Sequence, residues 1–231
     1  MKYKKIGVIC AMEKEAEGIL SAMEGKISRT AGGITFHQGS IGEKEVVLAV
    51  CGIGKVFAAM CAESMILTFS PDCIITSGVA GSLTESLDIL SLAVSSELVQ
   101  HDMDTSPLGD PVGLISGINK VYLPADKTLI EDVLCLAKEE NIPALAGVIA
   151  SGDRFIAKNE DKMRLKELFS PIACEMEGAA IAQACFVNEI PFCVIRTISD
   201  SFTGDNAMDY AEFSHRAAHR GAEFLVKLLK K

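Results

Sequence analysis

The stretch KKIGVICAMEKE, residues 4–15, decides the fold class, because an apolar run of strand length passes directly into a helical pattern that opens with acidic residues. Short apolar runs bounded by turn residues are typical of buried strands. Runs of this kind alternate with helical patterns along the chain, as in a mostly parallel sheet covered by helices on both faces. We therefore predict one α/β domain, residues 1–231, with three α/β/α layers and a mixed, mostly parallel central sheet.

The remaining elements follow from the same periodicities. Strands are predicted at residues 5–12, 33–39, 45–51, 72–78, 91–99, 145–151, 173–176 and 192–198, and helices at 13–24, 55–69, 126–140, 159–169, 177–187 and 208–230. Residues 27–51 are predicted to form antiparallel strands joined by the turn Gly39-Ser40-Ile41-Gly42, which makes the sheet mixed. Residues 101–120 are the longest stretch without periodicity, and an ordered loop of that length is typical of a functional or subunit contact.

Composition favours a small-molecule enzyme. Of 231 residues, 49% are hydrophobic, which is ample for a core, and the formal net charge is -9. Basic residues are scattered, so the phosphate-tracking stripe of a nucleic-acid-binding protein is missing. No apolar run approaches the length of a membrane-spanning helix, and the first one is interrupted too early for a secretory signal. These features predict a cytoplasmic protein with no nucleic-acid or membrane partner.

The cysteines and histidines do not predict a metal centre. Most of the eight cysteines lie in apolar runs and none form a C-x-x-C pair, which is typical of buried thiols in a reducing compartment. His215 and His219 have the spacing of a zinc pair, but HRAAH lacks the glutamate of an H-E-x-x-H site. We expect these histidines to be solvated helix residues.

Three carboxylates follow strand-like segments: Glu15 after KKIGVICAM, Glu177 in CEMEG and Asp200 in FCVIRTISD. In an open α/β sheet, ligands bind beyond the carboxyl ends of the strands, so these groups are expected to converge on one crevice. Any one of them alone is better explained as an acidic residue at a helix N-terminus, worth about 0.3–1 kcal/mol. Together they indicate acid/base chemistry.

The turn Gly52-Ile53-Gly54-Lys55 follows a strand and opens a helix. It lacks the third glycine and the downstream acidic residue of a dinucleotide site. It also lacks the leading glycine of a P-loop, and Val56 stands at the Ser/Thr position. The turn is therefore predicted to bring backbone close to a ligand without binding a dinucleotide.

Six motifs occur in one order along the chain: AMEKE, CGIGK, SGVAGSL, SGDRFI, CEMEGAAIA and RTISD. With them the chain resembles the 5′-methylthioadenosine/S-adenosylhomocysteine nucleosidases of the purine nucleoside phosphorylase superfamily, over essentially its whole length. The resemblance implies hydrolysis of the N-glycosidic bond of these nucleosides, and of 5′-deoxyadenosine, in methionine salvage. It implies a homodimer and neither a cofactor nor a metal.

By this resemblance, Asp200 is the general acid at purine N7, Glu15 is the base that activates water, and Glu177 holds the ribose hydroxyls. These roles meet the demands of glycosidic cleavage, since the leaving base needs a proton, the water needs a base and the sugar becomes cationic. The remaining implied contacts are the base with Phe155 and the backbone of Ile156, the ribose with Met176, the 5′ substituent with Ile53, and the pocket wall with Met12, Gly81 and Ser199.

Two positions stay open. Arg196 is predicted either to help hold the water and Glu15 or to form only a strand-end ion pair. Where many relatives carry a hydroxyl residue, this chain has Val79, so the hydrogen bond that orients Asp200 must come from elsewhere, with Thr76, Ser77 and Ser199 as candidates.

Alternative functions remain. A nucleoside phosphorylase would need basic groups where Glu15 lies, because a carboxylate repels phosphate. A non-catalytic nucleoside-binding or storage protein is possible on any fold, since fold alone does not imply function. An aminodeoxyfutalosine nucleosidase differs at the 5′ end, which the motifs specify least. For residues 101–120 we expect contact with the partner's pocket, the alternative being a lid within the same chain.

Overall fold

The computed structural model describes residues 1–203 and 206–231, and for 206–208 the backbone alone. The strands are β1 (Lys5–Cys10), β2 (Glu24–Ala31), β3 (Ile34–Ile41), β4 (Lys44–Val50), β5 (Cys73–Ser82), β6 (Leu92–Gln100), β7 (Leu123–Pro124), β8 (Ala144–Ser151), β9 (Ala173–Glu175) and β10 (Phe192–Asp200). The helices are α1 (Glu13–Ala22), α2 (Lys55–Phe69), α3 (Lys127–Glu139), α4 (Asn159–Phe169), α5 (Gly178–Val187) and α6 (Asn206–Leu229). The predicted α/β fold is confirmed.

The strands form one mixed sheet in the order β10-β6-β8-β9-β5-β1-β4-β3-β2, with β7 beside β6. Parallel pairings join β1 to β4 and β5, β5 to β10, and β8 to β6 and β9. Antiparallel pairings join β10 to β6 and β5 to β9. Because β10 pairs with both β5 and β6, the strands β5, β10, β6, β8 and β9 close into a ring. This ring brings the ends of β5, β9 and β10 together.

The hairpins of residues 24–50 correct one detail of the predicted turn. Gly39 to Ile41 lie within β3, and the chain reverses at Gly42 and Glu43, with Ile41 paired to Lys44. Two-residue hairpin loops need a positive φ, which Gly42 supplies at 58°. Gly39 has another role, because a Cβ there would lie 2.5 Å from the carbonyl oxygen of Glu24, where β2 is bulged.

Two hydrophobic cores cover the two faces of the sheet. On one face α2 and α5 pack through residues such as Met65, Phe69 and Ile181, and the ring of Phe36 on β3 lies 5.0 Å from that of Phe69. On the other face α1, α3 and α6 pack through residues such as Ile19, Val133 and Phe224. These layers confirm the predicted sandwich and hold the strand ends in place. Among the described residues, no helix is long and apolar enough to span a membrane.

Residues 101–120 form an ordered loop with a short 3₁₀ helix at Ser106–Leu108. The amide of Gly113 donates to the carbonyl of Met103 at 2.7 Å, which pins the loop to itself. Val112 packs against a small core cluster, whereas Leu108 is 84% exposed. The exposed apolar surface of the loop therefore lies at its tip.

Candidate active site

A crevice opens where β1, β5, β9 and β10 end, with an empty volume of about 460 Å³ including the part open to solvent. Its lining residues are Ala11, Met12, Glu15, Ile53, Val79, Ala80, Gly81, Phe155, Cys174, Glu175, Met176, Glu177, Ser199, Asp200 and Tyr210. The three carboxylates predicted from strand ends therefore meet in one place.

Glu15 lies in the first turn of α1 and is buried. Its Oε2 accepts the amides of Ala11 and Met12, both at 2.9 Å, and its Oε1 accepts the amide of Val79 at 3.0 Å. Burial raises the pKa of Glu15, although the charge of Arg196 and these three amides oppose the change. The result is a carboxylate fixed in orientation and more basic than an exposed glutamate.

Arg196 lies on β10 beneath the crevice and is 1% exposed. Its Nη2 forms a short ion pair with Glu175 and lies 3.5 Å from Oε2 of Glu177. A Cβ on Gly78 would lie 2.1 Å from Nη1 of Arg196 and 2.7 Å from Oε1 of Glu15, so this glycine leaves the room in which those two groups meet. Burial alone lowers the pKa of a guanidinium, but the surrounding carboxylates raise the pKa of Arg196, which is therefore charged.

Glu175 is held more firmly than any other carboxylate of the cluster. Oε2 accepts the amides of Glu177 and Gly178 at 3.1 and 2.7 Å, and Oε1 accepts a short hydrogen bond from the Ser151 hydroxyl. Ser151 in turn accepts the amide of Ala179 at 2.7 Å. Charge-assisted bonds of this kind are the strong ones in a protein interior. Glu175 thus anchors the guanidinium and the start of α5 together.

Glu177 faces the crevice between this cluster and the Gly52–Lys55 turn. Its Oε1 accepts the amide of Gly54 at 2.9 Å. Burial and the charge of Glu175 raise the pKa of Glu177 to about 7, while Arg196 and the Gly54 amide oppose the rise. Gly54 has a φ of 101°, a conformation that favours glycine. This turn brings the backbone amide of Gly54 to Glu177 beside the crevice, and its predicted approach to a ligand stays a prediction.

Asp200 is the last residue of β10 and lines the crevice next to Gly81. A bulge between Ile198 and Asp200 shifts the pairing, so that Asp200 lies opposite Gly81 on β5. Bulges re-aim side chains in this way next to active sites. A Cβ on Gly81 would lie 2.6 Å from Oδ2 of Asp200, so only glycine leaves this space free. Ser199 on the bulge donates to Oδ1 of Asp200 at 2.7 Å.

The Ser199 hydroxyl, one of the three candidates named above, therefore holds the Asp200 carboxyl group. Ser199 also lies 3.3 Å from the carbonyl of Ala80, which ties the bulge to β5. Val79 contributes through its backbone instead, since its amide holds Glu15. The side chain of Val79 packs with Ala217 and Ala218 of α6.

An aromatic and thioether wall flanks the crevice. Phe155 is 49% exposed, and its ring lies 5.4 Å from that of Tyr210 at 72°, an edge-on arrangement. The Tyr210 hydroxyl lies 3.7 Å from Sδ of Met12. Aromatic faces and polarizable sulfur suit a flat heterocycle. A planar, mostly apolar ligand with a few polar atoms fits this wall.

The predicted residues divide into two groups. Met12, Glu15, Ile53, Gly81, Phe155, Met176, Glu177, Ser199 and Asp200 all line the crevice. Ile156 packs its side chain into a core cluster, and Arg196 lies below the lining, in contact with Glu175. The predicted backbone contact of Ile156 stays a prediction.

Sequence reasoning missed Glu175 and Tyr210, which line the crevice. Glu175 stands two residues before Glu177 in CEMEG, and an acidic residue at the end of a buried strand was a usable signal. Tyr210 lies on the last helix with no motif around it. Its distance of 198 residues from Met12 in the chain left no sequence signal for the contact.

The chain is similar in sequence to known nucleosidases. It matches the Phosphorylase superfamily over residues 5–230. A 5′-methylthioadenosine/S-adenosylhomocysteine nucleosidase of Shewanella loihica is 37% identical over 228 residues, 98% of this chain and 99% of the relative. An aminodeoxyfutalosine nucleosidase of Helicobacter pylori is 37% identical over 227 residues, 98% of each chain.

The fold of the chain is also similar to solved structures of nucleosidases. The 5′-methylthioadenosine/S-adenosylhomocysteine nucleosidase of Neisseria meningitidis in complex with methylthio-immucillin-A has a TM-score of 0.94 at 34% identity, covering 98% of this chain and 99% of that one. The Helicobacter pylori nucleosidase with butyl-thio-DADMe-Immucillin-A has a TM-score of 0.93 at 37% identity, covering 99% and 98%. The similarity includes every element that carries the crevice.

The buried charge cluster predicts a pH-dependent cost to stability. The pKa of Glu177 is about 7 in the folded protein against an ordinary 4.5, so the folded state holds a proton that the unfolded state loses as pH rises through this window. Stability from this group therefore falls between pH 4.5 and 7. We expect Glu177→Gln to raise the melting temperature relative to the native protein at pH 8 and to have less effect at pH 4.5. Thermal melts at both pH values measure it, and an equal shift at both would contradict the assignment.

Proposed function

The chain belongs to the phosphorylase superfamily and, within it, to the 5′-methylthioadenosine/S-adenosylhomocysteine nucleosidases, and we propose that it hydrolyses the N-glycosidic bond of these nucleosides. 5′-Deoxyadenosine is a further expected substrate. The products are adenine and a 5′-substituted ribose. The observation that carries the proposal is the buried, amide-held Glu15 in the same crevice as Asp200.

Glu15 serves as the base. Its raised pKa and its fixed orientation suit removal of a proton from water, because proton transfer is most efficient when the base has a pKa near the working pH. The buried guanidinium of Arg196 lies beside it and limits the rise of that pKa. The nucleophile is then a water held on the Glu15 side of the ribose.

The cluster of Glu15, Glu175 and Glu177 stabilises the reacting sugar. Cleavage gives C1′ the character of an oxocarbenium cation. With one guanidinium among three carboxylates, the floor of the crevice is a source of negative charge close to that cation. Preorganised charge of this kind acts without reorganisation at the moment of reaction. Glu177, held by the Gly54 amide, also accepts hydrogen bonds from the ribose hydroxyls.

Asp200 serves as the acid. The Ser199 hydroxyl and the close approach at Gly81 fix the carboxyl group, which then protonates purine N7. Protonation of N7 makes adenine a neutral leaving group. Phe155 and Tyr210 flank the base, and the thioether side chains of Met12 and Met176 contact the sugar.

Phosphate independence tests the reaction class. The nucleophile of a phosphorylase is a phosphate dianion, which cationic groups must hold. Here the carboxylate of Glu15 lies beside the position of the nucleophile and would repel phosphate. We expect the purified protein to release adenine from 5′-methylthioadenosine at the same rate with and without phosphate. Chromatography of the products measures this, with inosine as the control substrate. A sugar 1-phosphate product would show a phosphorylase, and no cleavage at all would show a binding protein.

Substitution of the acid and the base tests the roles. We expect Asp200→Asn and Glu15→Gln each to lower kcat by at least about a hundredfold, the usual scale for a general acid or base, while nucleoside binding persists. Steady-state kinetics and calorimetric binding measure the two effects. Glu13→Gln, an exposed neighbour in the same helical turn as Glu15, is the matched control. Near-native kcat in either variant removes that residue from its role.

Aminodeoxyfutalosine is the second candidate substrate. A Helicobacter pylori aminodeoxyfutalosine nucleosidase is as similar to this chain as the Shewanella loihica enzyme. The crevice specifies the base and the ribose through Phe155, Glu177 and Asp200, whereas Ile53 at the 5′ side is half in solvent. Competition between the two nucleosides in one assay ranks them.

We also propose a homodimer in which residues 101–120 of one protomer close the 5′ end of the other's crevice. Two observations support it. None of the described residues of that loop line the crevice of their own chain, which disfavours a lid within the chain. Exposed apolar side chains continue from the crevice residue Ile53 along the start of α2, at Val56, Phe57 and Met60, and such patches mark interaction sites. Symmetric dimers are the commonest soluble oligomers.

A charged residue at the tip of the 101–120 loop tests whether this loop closes the crevice of the partner protomer. We expect Leu108→Asp to weaken dimerisation, or to raise KM for 5′-methylthioadenosine more than it lowers kcat, because it places a carboxylate in an apolar contact. Sedimentation over a dilution series and kinetics measure both. Ile27→Asp, at an exposed apolar position of β2, is the control. Full activity of a native monomer at nanomolar concentration would refute the proposal.

A cytoplasmic location and a role in methionine salvage complete the proposal. All eight cysteines are free thiols, including the exposed Cys135. Free thiols are the rule in reducing compartments.

A further inference from the structure

Lys162 on α4 is a buried lysine that has no role in the reaction proposed above. It is 1% exposed, and a buried ammonium is costly unless hydrogen bonds satisfy it. Its Nζ donates to the backbone carbonyls of Ser201 at 3.0 Å and Phe202 at 2.7 Å. These two residues follow Asp200 directly in the chain, so Lys162 holds the backbone immediately after Asp200.

The same segment is held from its other side by α6. The amide and the hydroxyl of Ser201 both donate to Oδ2 of Asp209, at 3.1 and 2.8 Å. Ser201 thus has its carbonyl held by a cation and its amide held by an anion. Backbone restrained at both polar groups has little freedom to rotate, and the restraint passes to Asp200, one peptide unit away.

Lys162 also connects two walls of the crevice. Helix α4 follows the loop that carries Phe155 and Ile156, and Leu165 on the same helix packs in one cluster with Ile156 and Cys174. Phe202 packs against that cluster too. The loop beside the base and the strand end that carries the acid are therefore joined through α4.

We propose that Lys162 is a positioning residue for Asp200: its ammonium fixes the backbone after the acid and favours the carboxylate that forms when the proton leaves. The proposal rests on the acid role of Asp200 proposed above. As the proton moves to the purine, negative charge develops on Asp200, and a buried positive charge nearby lowers the energy of that state.

The groups that face the ammonium agree with this. Burial lowers the pKa of Lys162, while the charges of Asp200 on β10 and Asp209 on α6 oppose that change. Burial raises the pKa of Cys174, with Asp200 acting in the same direction, so this thiol is neutral and adds no charge. Asp209 therefore balances the ammonium before the reaction, and the carboxylate of Asp200 adds to this balance once its proton has left.

A purely structural lysine would behave differently. Leu165 and Phe169 already anchor α4 to its core cluster, and a methionine at 162 would fill nearly the same volume. If Lys162 only packs, Lys162→Met changes stability and leaves kcat and its pH dependence unchanged.

Kinetics of four variants test the proposal. We expect Lys162→Met to lower kcat for 5′-methylthioadenosine by at least about tenfold with little change in KM, since small misplacements of a catalytic group cost up to about a hundredfold. Loss of the positive charge raises the pKa of Asp200, so the alkaline limb of the kcat profile should move to higher pH. Lys162→Arg should keep the native limb, and Lys162→Gln should shift it as methionine does.

Lys166→Met is the matched control. Its Nζ lies 4.6 Å from the centre of the Phe202 ring, yet the residue is exposed. We expect native kcat and an unshifted pH profile. Native kinetics in Lys162→Met, or an equal loss in Lys166→Met, would overturn the proposal.

Hydrogen exchange separates this proposal from the function itself. We expect the Ser201 amide to exchange faster in Lys162→Met than in Lys166→Met, whether or not a nucleoside is cleaved. Unchanged exchange overturns the positioning role even in an active enzyme. If Lys162→Met does not fold, Lys162→Gln and Lys162→Arg decide, because they differ in charge and both keep a donor.

Discussion

The guanidinium of Arg196 among the carboxylates of Glu175, Glu177 and Glu15 is the interaction on which the site depends. A buried ion pair is favourable only when every polar group around it is satisfied. The Ser151 hydroxyl, the amides at the start of α5 and the three amides that hold Glu15 satisfy the carboxylates. Nε and Nη1 of Arg196, in contrast, are buried with no hydrogen-bond partner among the described residues. The absence of a side chain at Gly78 then lets arginine and glutamate meet.

The cluster contains more carboxylates than cations, and this imbalance has opposite effects on stability and catalysis. Burial raises the pKa values of Glu15 and Glu177, and the charge of Glu175 adds to the rise at Glu177, which costs folding free energy near neutral pH. The same excess of negative charge is complementary to a cationic sugar and not to the neutral substrate. Enzymes gain rate from interactions that are stronger in the transition state than in the ground state.

Much of the fold and half of the site chemistry could be predicted from local patterns. Apolar runs and helical spacing predicted α1 and α2 closely, and strand-end carboxylates predicted that Glu15, Glu177 and Asp200 converge. Ring closure was not predictable, because the pairing of β10 with both β5 and β6 depends on tertiary contacts. Glu175 gave a usable signal as an acidic residue at a strand end, but its pairing with Arg196, 21 residues away, depends on the same kind of tertiary contact. The sequence left Thr76, Ser77 and Ser199 as candidates for the hydroxyl that binds Asp200. Only the structure shows that the bulge in β10 brings the Ser199 hydroxyl to Asp200.

The closed ring of β5, β10, β6, β8 and β9 also sets the order in which this protein can mature. Strand β5 is synthesised more than a hundred residues before β10, its parallel neighbour. Until the chain beyond residue 200 is available, the N–H and C=O groups along that side of β5 have no native strand to pair with. Unpaired edges of this kind invite association with other chains. Pairings so distant in sequence also form slowly. During biosynthesis we expect chaperones to bind the nascent chain until its last helix is nearly complete. We expect the catalytic centre to form in a single step after that.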